Sequence, residues 1–250
     1  MKTGIQESMD SRLRGNDTYV IMVSMKLTNN QILILLPVFN ESKVIFSVIR
    51  SIQKEGWKKI LAVDDGSTDN TYDELKKTGV IILRHSINRG KGSAVKTGLE
   101  AAKILNSKVV VTLDSDGQHN PKDIKKMVEE IKKGYDVVLG IRDFKKRHIP
   151  RFKAFGNYIG NIFTWMFYGL WVNDSQSGFR AYNKKAVDLI QTNNDHYEFE
   201  TEIVREIVRN KLKWSEKIID VRYSDYDQKK RNKQSFVSAV KMIIKLVLFG

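Results

Sequence analysis

Two carboxylates separated by one residue follow an apolar run near the middle of the chain. The run covers Val109–Leu113, and Asp114, Asp116 and Gln118 lie just after it. Such a run predicts a buried β-strand, although an Asp-x-Asp sequence also occurs in loops by chance. Oxygen ligands just past a strand suit a hard divalent cation, which commonly keeps a pyrophosphate as a partner. The spacing therefore predicts a metal site at these three residues.

A second acidic motif follows an earlier apolar run. Asp64, Asp65 and Gly66 come directly after the apolar residues 60–63. Adjacent carboxylates repel each other, so a pair without partners lowers stability. The donors of a nucleotide base or ribose would offset that cost, and Gly66 would allow close backbone approach. The alternative is that the polar residues after Gly66 only cap the next helix.

Two weaker signals accompany these motifs. Leu36–Glu41 ends the first apolar run, where the proline is expected to stop the strand ladder and Asn40 and Glu41 to project at the sheet edge. A turn followed by a helix cap explains the same residues equally well. Asn88–Ala94 places two glycines with basic neighbours at a predicted helix start, which suits a diphosphate but lacks the spacing of a P-loop.

The second half of the chain adds further acidic candidates. Asp174 begins a polar stretch that extends to Arg180, and it could serve as a general base, an acceptor-site residue or a helix cap. Glu198–Glu202 contains three acids that could point toward the same site. A solvated helix start explains those three acids equally well.

Apolar runs alternate with helix-like segments along the first part of the chain. This alternation predicts an α/β fold, a mostly parallel sheet with right-handed helical crossovers. Ligands of such sheets bind at the carboxyl ends of the strands, where the acidic motifs fall. The predicted strands are residues 32–38, 59–63, 80–83, 108–113, 136–139 and 214–223, and the predicted helices are residues 42–54, 70–77, 92–105, 121–133 and 200–211.

The bulk composition fits one such domain. The chain has 250 residues, of which 41% are hydrophobic, and it has 0 cysteines, so a disulfide framework is excluded and a reducing compartment fits. We predict no transmembrane helix and no signal peptide. We expect a poorly ordered extension over residues 1–30, with Met25 as a candidate start, the domain over residues 31–225, and a basic amphipathic segment over residues 226–250.

Part of the formal net charge of +14 lies in two basic clusters. Residues 145–153 run into the aromatic segment 152–172, and residues 229–233 precede the apolar segment 236–249. Basic residues beside apolar ones favour an anionic membrane surface. They do not favour nucleic acid, for which we would expect stacking aromatics among the charges. The alternative is a solvated basic surface.

The motifs in this order resemble those of the family 2 glycosyltransferases, which have the GT-A fold. The resemblance covers about residues 31–225 and rests on Asp64–Ser67, Asn88–Gly92 and Asp114–His119. It implies a Rossmann-like, mostly parallel sheet flanked by helices, here followed by C-terminal amphipathic helices.

Within that family, the chain is most similar to the polyprenyl-phosphate sugar synthases, of the dolichol-phosphate mannose and glucose type. Gly140–Arg142, Pro150–Asn157 and Gly178–Arg180 carry this narrower resemblance. Many members have C-terminal transmembrane helices, which this sequence lacks, so membrane attachment would fall to amphipathic segments.

The resemblance also implies roles for individual residues. The nucleotide and diphosphate would be bound by Pro37, Phe39, Glu41, Asp64, Asp65, Gly66, Lys91 and Ser115. The metal, Mg²⁺ or Mn²⁺, would be bound by Asp114, Asp116 and Gln118, and the catalytic set would be Asp116, Arg142, Arg151 and Asp174. The two arginines would contact the acceptor phosphate.

The expected reaction is a metal-dependent, inverting transfer of mannose or glucose. The donor would be a GDP- or UDP-linked sugar, and the acceptor a polyprenyl phosphate at the cytoplasmic face of a membrane. We expect a peripheral membrane protein that does not bind nucleic acid. A homo-oligomer is possible. One alternative is transfer to a saccharide hydroxyl, with Asp174 as the base. A second is a sugar nucleotidyltransferase, which the lack of a Gly-rich loop after the first strand disfavours.

Overall fold

The structure, a computed structural model, describes residues 27–143, 161–162, 164–191 and 199–222. The strands are β1 (Ile32–Val38), β2 (Ile60–Asp64), β3 (Ile81–Arg84), β4 (Val109–Thr112), β5 (Val137–Arg142), β6 (Arg180–Asn183) and β7 (Trp214–Ile219). The helices are α1 (Ile45–Lys54), α2 (Thr71–Lys76), α3 (Lys91–Ile104), α4 (Asp123–Lys132), α5 (Lys184–Leu189) and α6 (Phe199–Arg209). A 3₁₀ turn at Asn29–Gln31 precedes β1, and residues 161–162 and 164–168 are also helical.

Several predicted features lie outside the described residues. They are Arg151, the basic clusters 145–153 and 229–233, the apolar segment 236–249, and most of the extension 1–30.

The described strands form one sheet in the order β3-β2-β1-β4-β6-β5-β7. β1 pairs in parallel with β2 and β4, β2 with β3, and β5 with β7, which confirms the mostly parallel sheet. β6 pairs antiparallel with both β4 and β5. The sequence analysis missed α5, and it missed β6 because the sequence Arg-Ala-Tyr-Asn of β6 has no apolar run. Its position between two other strands buries it all the same.

The prediction that Pro37 stops the strand ladder is wrong on the β2 side. There Pro37 pairs with Val63, and β1 continues to Val38. On the other side the ladder with β4 ends earlier, at Leu35. Leu35 hydrogen bonds toward β4 and Ile34 toward β2, so by alternation Pro37 faces the β4 side. No partner strand needs its missing N–H at that point.

Most element boundaries differ from the predicted ones by a few residues. α1 begins at Ile45 because residues 42–44 form a turn whose carbonyl acceptor is Glu41. α4 ends as predicted before Gly134, which has a φ of +96°. β5 extends beyond the predicted strand to Arg142 because β7 pairs along its whole length. The local sequence does not encode that pairing.

Helices pack on both faces of the sheet. Ile34 and Leu36 of β1 join the apolar side chains of α1 and α4 on one face. Leu33 and Leu35 join those of α3, α5 and α6 on the other face. α3 approaches β1 closely at Gly98, where a Cβ atom would collide with the Leu35 side chain. This contact fixes the start of α3 at the carboxyl edge of the sheet.

Candidate active site

The loops that follow β1 and β2 are bonded to each other. The Asn40 backbone N–H donates to Ser67 Oγ over 3.0 Å, and Asn40 Oδ1 accepts from the Thr68 N–H over 2.9 Å. The Glu41 N–H donates to Thr71 Oγ1 over 2.8 Å. Asn40 adopts a φ of +53°, a left-handed conformation that asparagine tolerates. The bonds hold the buried Glu41 at the carboxyl edge, where the sequence predicted it.

Asp64 is fully buried at the end of β2. Its Oδ1 accepts from the Ser67 N–H over 3.0 Å, and its Oδ2 lies 3.1 Å from Arg84 Nε. Gly66 follows with a φ of +69°, and a Cβ atom there would lie 2.5 Å from the Ile87 carbonyl carbon. Gly66 thus allows the β2 loop to pack directly against the loop that precedes α3.

The Asp65 carboxylate accepts hydrogen bonds from the loop that precedes α3. Oδ1 lies 2.6 Å from His85 Nδ1 and accepts from the Arg89 N–H over 3.0 Å, while Oδ2 accepts from the Gly90 N–H over 2.7 Å. His85 Nε2 lies 2.9 Å from Thr97 Oγ1 on α3. Asp65 therefore shapes the loop that the sequence assigned to the diphosphate. Its role as a direct nucleotide ligand stays a prediction, and the sequence analysis missed His85.

Lys91 is the first residue of α3 and reaches across the site. Its Nζ lies 2.6 Å from Asp114 Oδ1 and 2.8 Å from Glu200 Oε1. Burial alone would lower the pKa of Lys91, but the two carboxylates outweigh it and raise the pKa well above its ordinary value. Lys91 therefore links two parts of the chain that are distant in sequence.

The predicted metal motif forms a loop after β4. Burial would raise the pKa of Asp114, but Lys91 and His119 hold it well below its usual range. His119 Nε2 lies 3.3 Å from Asp114 Oδ2, and His119 Nδ1 is buried without a hydrogen-bond partner among the described residues. Asp116 accepts from the Gln118 backbone N–H over 3.1 Å and from its Nε2 over 2.8 Å. Both carboxylates are therefore oriented by their neighbours.

The oxygen atoms that this loop offers are of the kind that bind a divalent cation. Asp114 already binds a positive charge, and Asp116 lies two residues further along the same loop. Only a glycine fits beside this contact at position 178, since a Cβ atom there would lie 2.5 Å from Asp114 Oδ1 and 2.6 Å from Lys91 Nζ. Within the described residues, no three acidic or histidine side chains form a ready-made metal cluster. Gln118 orients Asp116 here, so its role as a metal ligand stays a prediction.

Arg142 and Asp174 form a bidentate ion pair. Arg142 Nε donates to Asp174 Oδ2 over 2.7 Å, and Arg142 Nη2 donates to Oδ1 over 2.7 Å. The Arg142 backbone N–H adds a third bond of 3.0 Å to Oδ2. The Asp174 carboxylate is fully buried, and both its oxygens are engaged. This geometry orients Arg142, and it does not favour the prediction that Asp174 acts as a general base.

Arg180 and Glu200 are two site residues that the predicted set did not include. The buried Arg180 guanidinium donates to the carbonyl oxygens of Ser175, Ser177 and Glu200 over 2.7, 2.9 and 2.9 Å. It thereby fixes both the loop around Gly178 and the start of α6. The acids of residues 198–202 were the only signal for Glu200, and solvation explained them equally well.

The remaining predicted residues lie at or near the same edge. Pro37 and Ser115 are buried, and Phe39 is partly exposed. Arg151 lies outside the described residues, so the structure does not locate it.

A helical segment rich in aromatic residues is attached to the site. Asn161 Nδ2 donates to the Asn173 carbonyl over 2.9 Å, and Asn161 Oδ1 accepts from the Ser175 N–H over 3.1 Å. The segment exposes 55% of Trp165 and 59% of Met166. Among the described residues, no helix is both long enough and apolar enough to cross a bilayer.

The family of the chain follows from sequence comparison. Residues 33–190 match the profile of the family described as glycosyl transferase family 2. The chain is a family 2 glycosyltransferase. The matched residues include the loops after β1, β2 and β4, the start of α3 and the Arg142–Asp174 pair. The family predicted from the motifs is therefore confirmed.

Two archaeal relatives resemble this glycosyltransferase along most of their length. An uncharacterised protein of Methanocaldococcus jannaschii is 36% identical over 229 residues, which cover 89% of this chain and 93% of the relative. The UDP-N-acetylglucosamine–dolichyl-phosphate N-acetylglucosaminyltransferase of Methanococcus voltae is 34% identical over 223 residues, which cover 80% of this chain and 89% of the relative.

A solved structure shows the same fold. The glucosyl-3-phosphoglycerate synthase of Mycobacterium tuberculosis, crystallised with Mn²⁺, UDP and phosphoglyceric acid, aligns with a TM-score of 0.62 and 18% identity. The alignment covers 84% of this chain and 77% of that one. The glycosyltransferase thus has the GT-A fold, and its described residues form a seven-stranded sheet flanked by helices.

Proposed function

We propose that this glycosyltransferase transfers a sugar from a nucleotide-diphosphate donor to a polyprenyl phosphate, with inversion at the anomeric carbon. The observation that carries the donor half is the position of Lys91, which joins the predicted diphosphate loop to the predicted metal motif at Asp114. The acceptor half is supported by the relative from Methanococcus voltae, whose name specifies a dolichyl-phosphate acceptor.

The carboxyl edge of the sheet would bind the nucleotide. Glu41 and Asp64 would hold the base and ribose, since both carboxylates lie at the ends of adjacent strands and in loops that are bonded to each other. Asp65 would act indirectly, because it fixes the Arg89 and Gly90 backbone ahead of α3.

The leaving group is the nucleoside diphosphate, on which negative charge grows as the sugar departs. Lys91 and the N-terminus of α3 would supply positive charge at that position. Asp114 and Asp116 would hold Mg²⁺ or Mn²⁺, and a bound divalent ion supplies further neutralisation of the leaving diphosphate. The Mn²⁺ in the solved neighbour supports a divalent ion without selecting between the two.

The acceptor phosphate is ionised near neutral pH, so it needs orientation more than it needs a base. Arg142 is suited to this role because the Asp174 carboxylate holds its guanidinium in place. Transfer to a saccharide hydroxyl would instead require a base, and Asp174 is engaged on both oxygens. The ion pair therefore favours a phosphate acceptor over a hydroxyl.

The donor sugar is proposed as a hexose or an N-acetylhexosamine. The motifs predicted mannose or glucose, while the relative from Methanococcus voltae is named for UDP-N-acetylglucosamine. UDP-N-acetylglucosamine is therefore the first donor to test, followed by UDP-glucose and GDP-mannose.

We place the protein peripherally on an anionic membrane surface, at its cytoplasmic face. The exposed side chains of Trp165 and Met166 support this, because they belong to a segment bonded to the loop that carries Asp174. Aromatic side chains that face solvent beside basic sequence are typical of interfacial attachment.

One assay separates the candidate functions. The purified chain is incubated with each nucleotide sugar and either dolichyl phosphate or a saccharide acceptor, and products are identified by mass spectrometry. We expect a glycosylated lipid phosphate and the release of nucleoside diphosphate. Transfer to the saccharide alone would contradict the proposal, and pyrophosphate release from a nucleoside triphosphate would indicate a nucleotidyltransferase.

A further inference from the structure

Lys91 forms an ion pair with Asp114, the carboxylate that the proposed function assigns to the metal. We propose that Lys91 is a resident counter-ion of Asp114, that a divalent cation displaces it, and that Glu200 then retains it beside the diphosphate. The inference rests on the proposed function, in which Asp114 is a metal ligand.

The contacts of the Lys91 ammonium are those of a bound cation. Its Nζ lies 2.6 Å from Asp114 Oδ1 and 2.8 Å from Glu200 Oε1; the Glu200 side chain is buried and that of Asp114 is 22% exposed. Gly178 packs directly against both groups, because a Cβ atom there would lie 2.6 Å from the Lys91 ammonium and 2.5 Å from Asp114 Oδ1. A cation that binds Asp114 Oδ1 meets the lysine charge at close range, so the two compete for one oxygen.

The backbones on both sides of this contact are fixed, so only the lysine side chain has to move. Asp65 binds the Gly90 N–H directly before Lys91, and Gly98 locks α3 against β1. The Arg180 guanidinium binds the Glu200 carbonyl and so fixes the other end.

Glu200 is therefore a positioning residue for Lys91. When Lys91 gives up Asp114, Glu200 still balances its charge and keeps the ammonium near the start of α3. That is where the diphosphate is proposed to bind, so donor and metal would each favour the displaced position of the lysine. The binding of one would then strengthen the binding of the other, through a lysine that both require to be displaced.

The test measures Mn²⁺ binding to the full chain by electron paramagnetic resonance, without nucleotide and then with UDP. We expect K91M to bind Mn²⁺ without nucleotide about tenfold or more tightly than the wild type, because a competing unit charge is removed. K91R, which keeps the charge, should stay near the wild type. K96M removes an exposed charge from the same helix and should also stay near the wild type.

Glu200 is tested by E200Q in both backgrounds. We expect E200Q to weaken Mn²⁺ binding severalfold when Lys91 is present and less when it is combined with K91M. Equal losses in both backgrounds would make Glu200 a direct ligand and overturn its positioning role. If K91M is less stable than the wild type, the increase in melting temperature on adding Mn²⁺ replaces the affinity measurement. We expect this increase to be larger for K91M than for the wild type.

The outcomes separate this inference from the proposed function. If the wild type binds Mn²⁺ with UDP and K91M leaves the affinity without nucleotide unchanged, the displacement of Lys91 is wrong and the metal site stands. If neither protein binds Mn²⁺ with UDP, both the metal role of Asp114 and the inference are wrong. Lipid-phosphate glycosylation in the presence of a chelator would then decide the reaction itself.

Discussion

Carboxylates at the site are held by partners both from their own loops and from distant parts of the chain. Asp114 pairs with Lys91 and His119, and Asp174 pairs with Arg142. Each pairing fixes the orientation of the carboxylate and balances its charge. An isolated carboxylate at this depth would lack that balance and would lower stability. The chemistry assigned to each residue therefore depends on its partner as much as on its own type.

At Asp116, we expect the substitution Asp116→Asn to lower kcat/KM about 100-fold or more, since loss of an outer partner of a metal already costs 10–100-fold. The fold should be intact, because charge is removed and core volume is not. Steady-state kinetics and circular dichroism measure the two effects. Asp188→Asn, in an exposed ion pair, is the control. Full activity of Asp116→Asn, or of the wild type in a chelator, would show that the metal assignment is wrong.

At Asp174, we expect Asp174→Asn to raise the KM for the lipid phosphate while the Kd for UDP stays near the wild-type value. The reason is that Arg142 loses the carboxylate that orients it. Calorimetric UDP titration and acceptor kinetics separate these effects, with thermal melts to follow the stability cost of leaving Arg142 without its partner. A fall in kcat together with loss of the acidic limb of the pH–rate profile would instead identify Asp174 as a base.

At the scale of elements, Asp136 directly precedes β5 and joins it to the amino end of β7 and the carboxyl end of β6. Its Oδ2 accepts from the Lys213 N–H over 2.8 Å ahead of β7, and its Oδ1 accepts from Asn183 Nδ2 over 2.8 Å at the end of β6. Lys185 Nζ lies 3.0 Å from Oδ2. Burial would raise the pKa of Asp136, but these hydrogen bonds and the lysine charge lower it below the ordinary value.

This pKa predicts a pH-dependent contribution to stability. A depressed pKa in the folded state means that the contribution is present above the ordinary pKa, about 3.9, and is lost as the pH falls through the folded-state value. We expect Asp136→Asn to lower the free energy of unfolding by about 1–3 kcal/mol at pH 7. Urea denaturation at pH 7 and below pH 4 measures it. A deficit that does not shrink in acid would contradict the assignment.

At the scale of the whole molecule, one end of the sheet carries both the site and the exposed aromatic segment. α3 runs from Lys91 at the carboxyl edge to Ile104, which is 86% exposed at the opposite end. Trp165 and Met166 lie in the segment bonded to the site loop. A membrane-bound acceptor would be met at the first end and not at the second.

We therefore expect Trp165→Ser combined with Met166→Ser to weaken flotation with anionic vesicles at low salt. Apolar area and basic charge both contribute to such binding, and each basic residue near the surface adds about 1 kcal/mol. Ile104→Ser is the matched control, because it removes an exposed apolar side chain from the other end. Equal binding by the double variant and the wild type would show that this segment does not contribute to membrane binding.

The sequence by itself determined the strands that end in acids. Residues 32–38 were predicted as a strand and form β1, and Asp64 and Asp114 lie at carboxyl ends as expected. Apolar runs bounded by turn residues are a local signal, because a strand buried on both faces is usually apolar along its length. The family followed from the same motifs, since their order along the chain is also local information.

Only the tertiary structure decided which charges meet. The pairing of Lys91 with Glu200 and of Arg142 with Asp174 joins residues from separate elements. It depends on β6, a strand without an apolar run that is inserted antiparallel between β4 and β5. Sheet pairing and burial override weak local preference there. For that reason the sequence located the acids along the chain, and the fold alone selected their partners from distant elements.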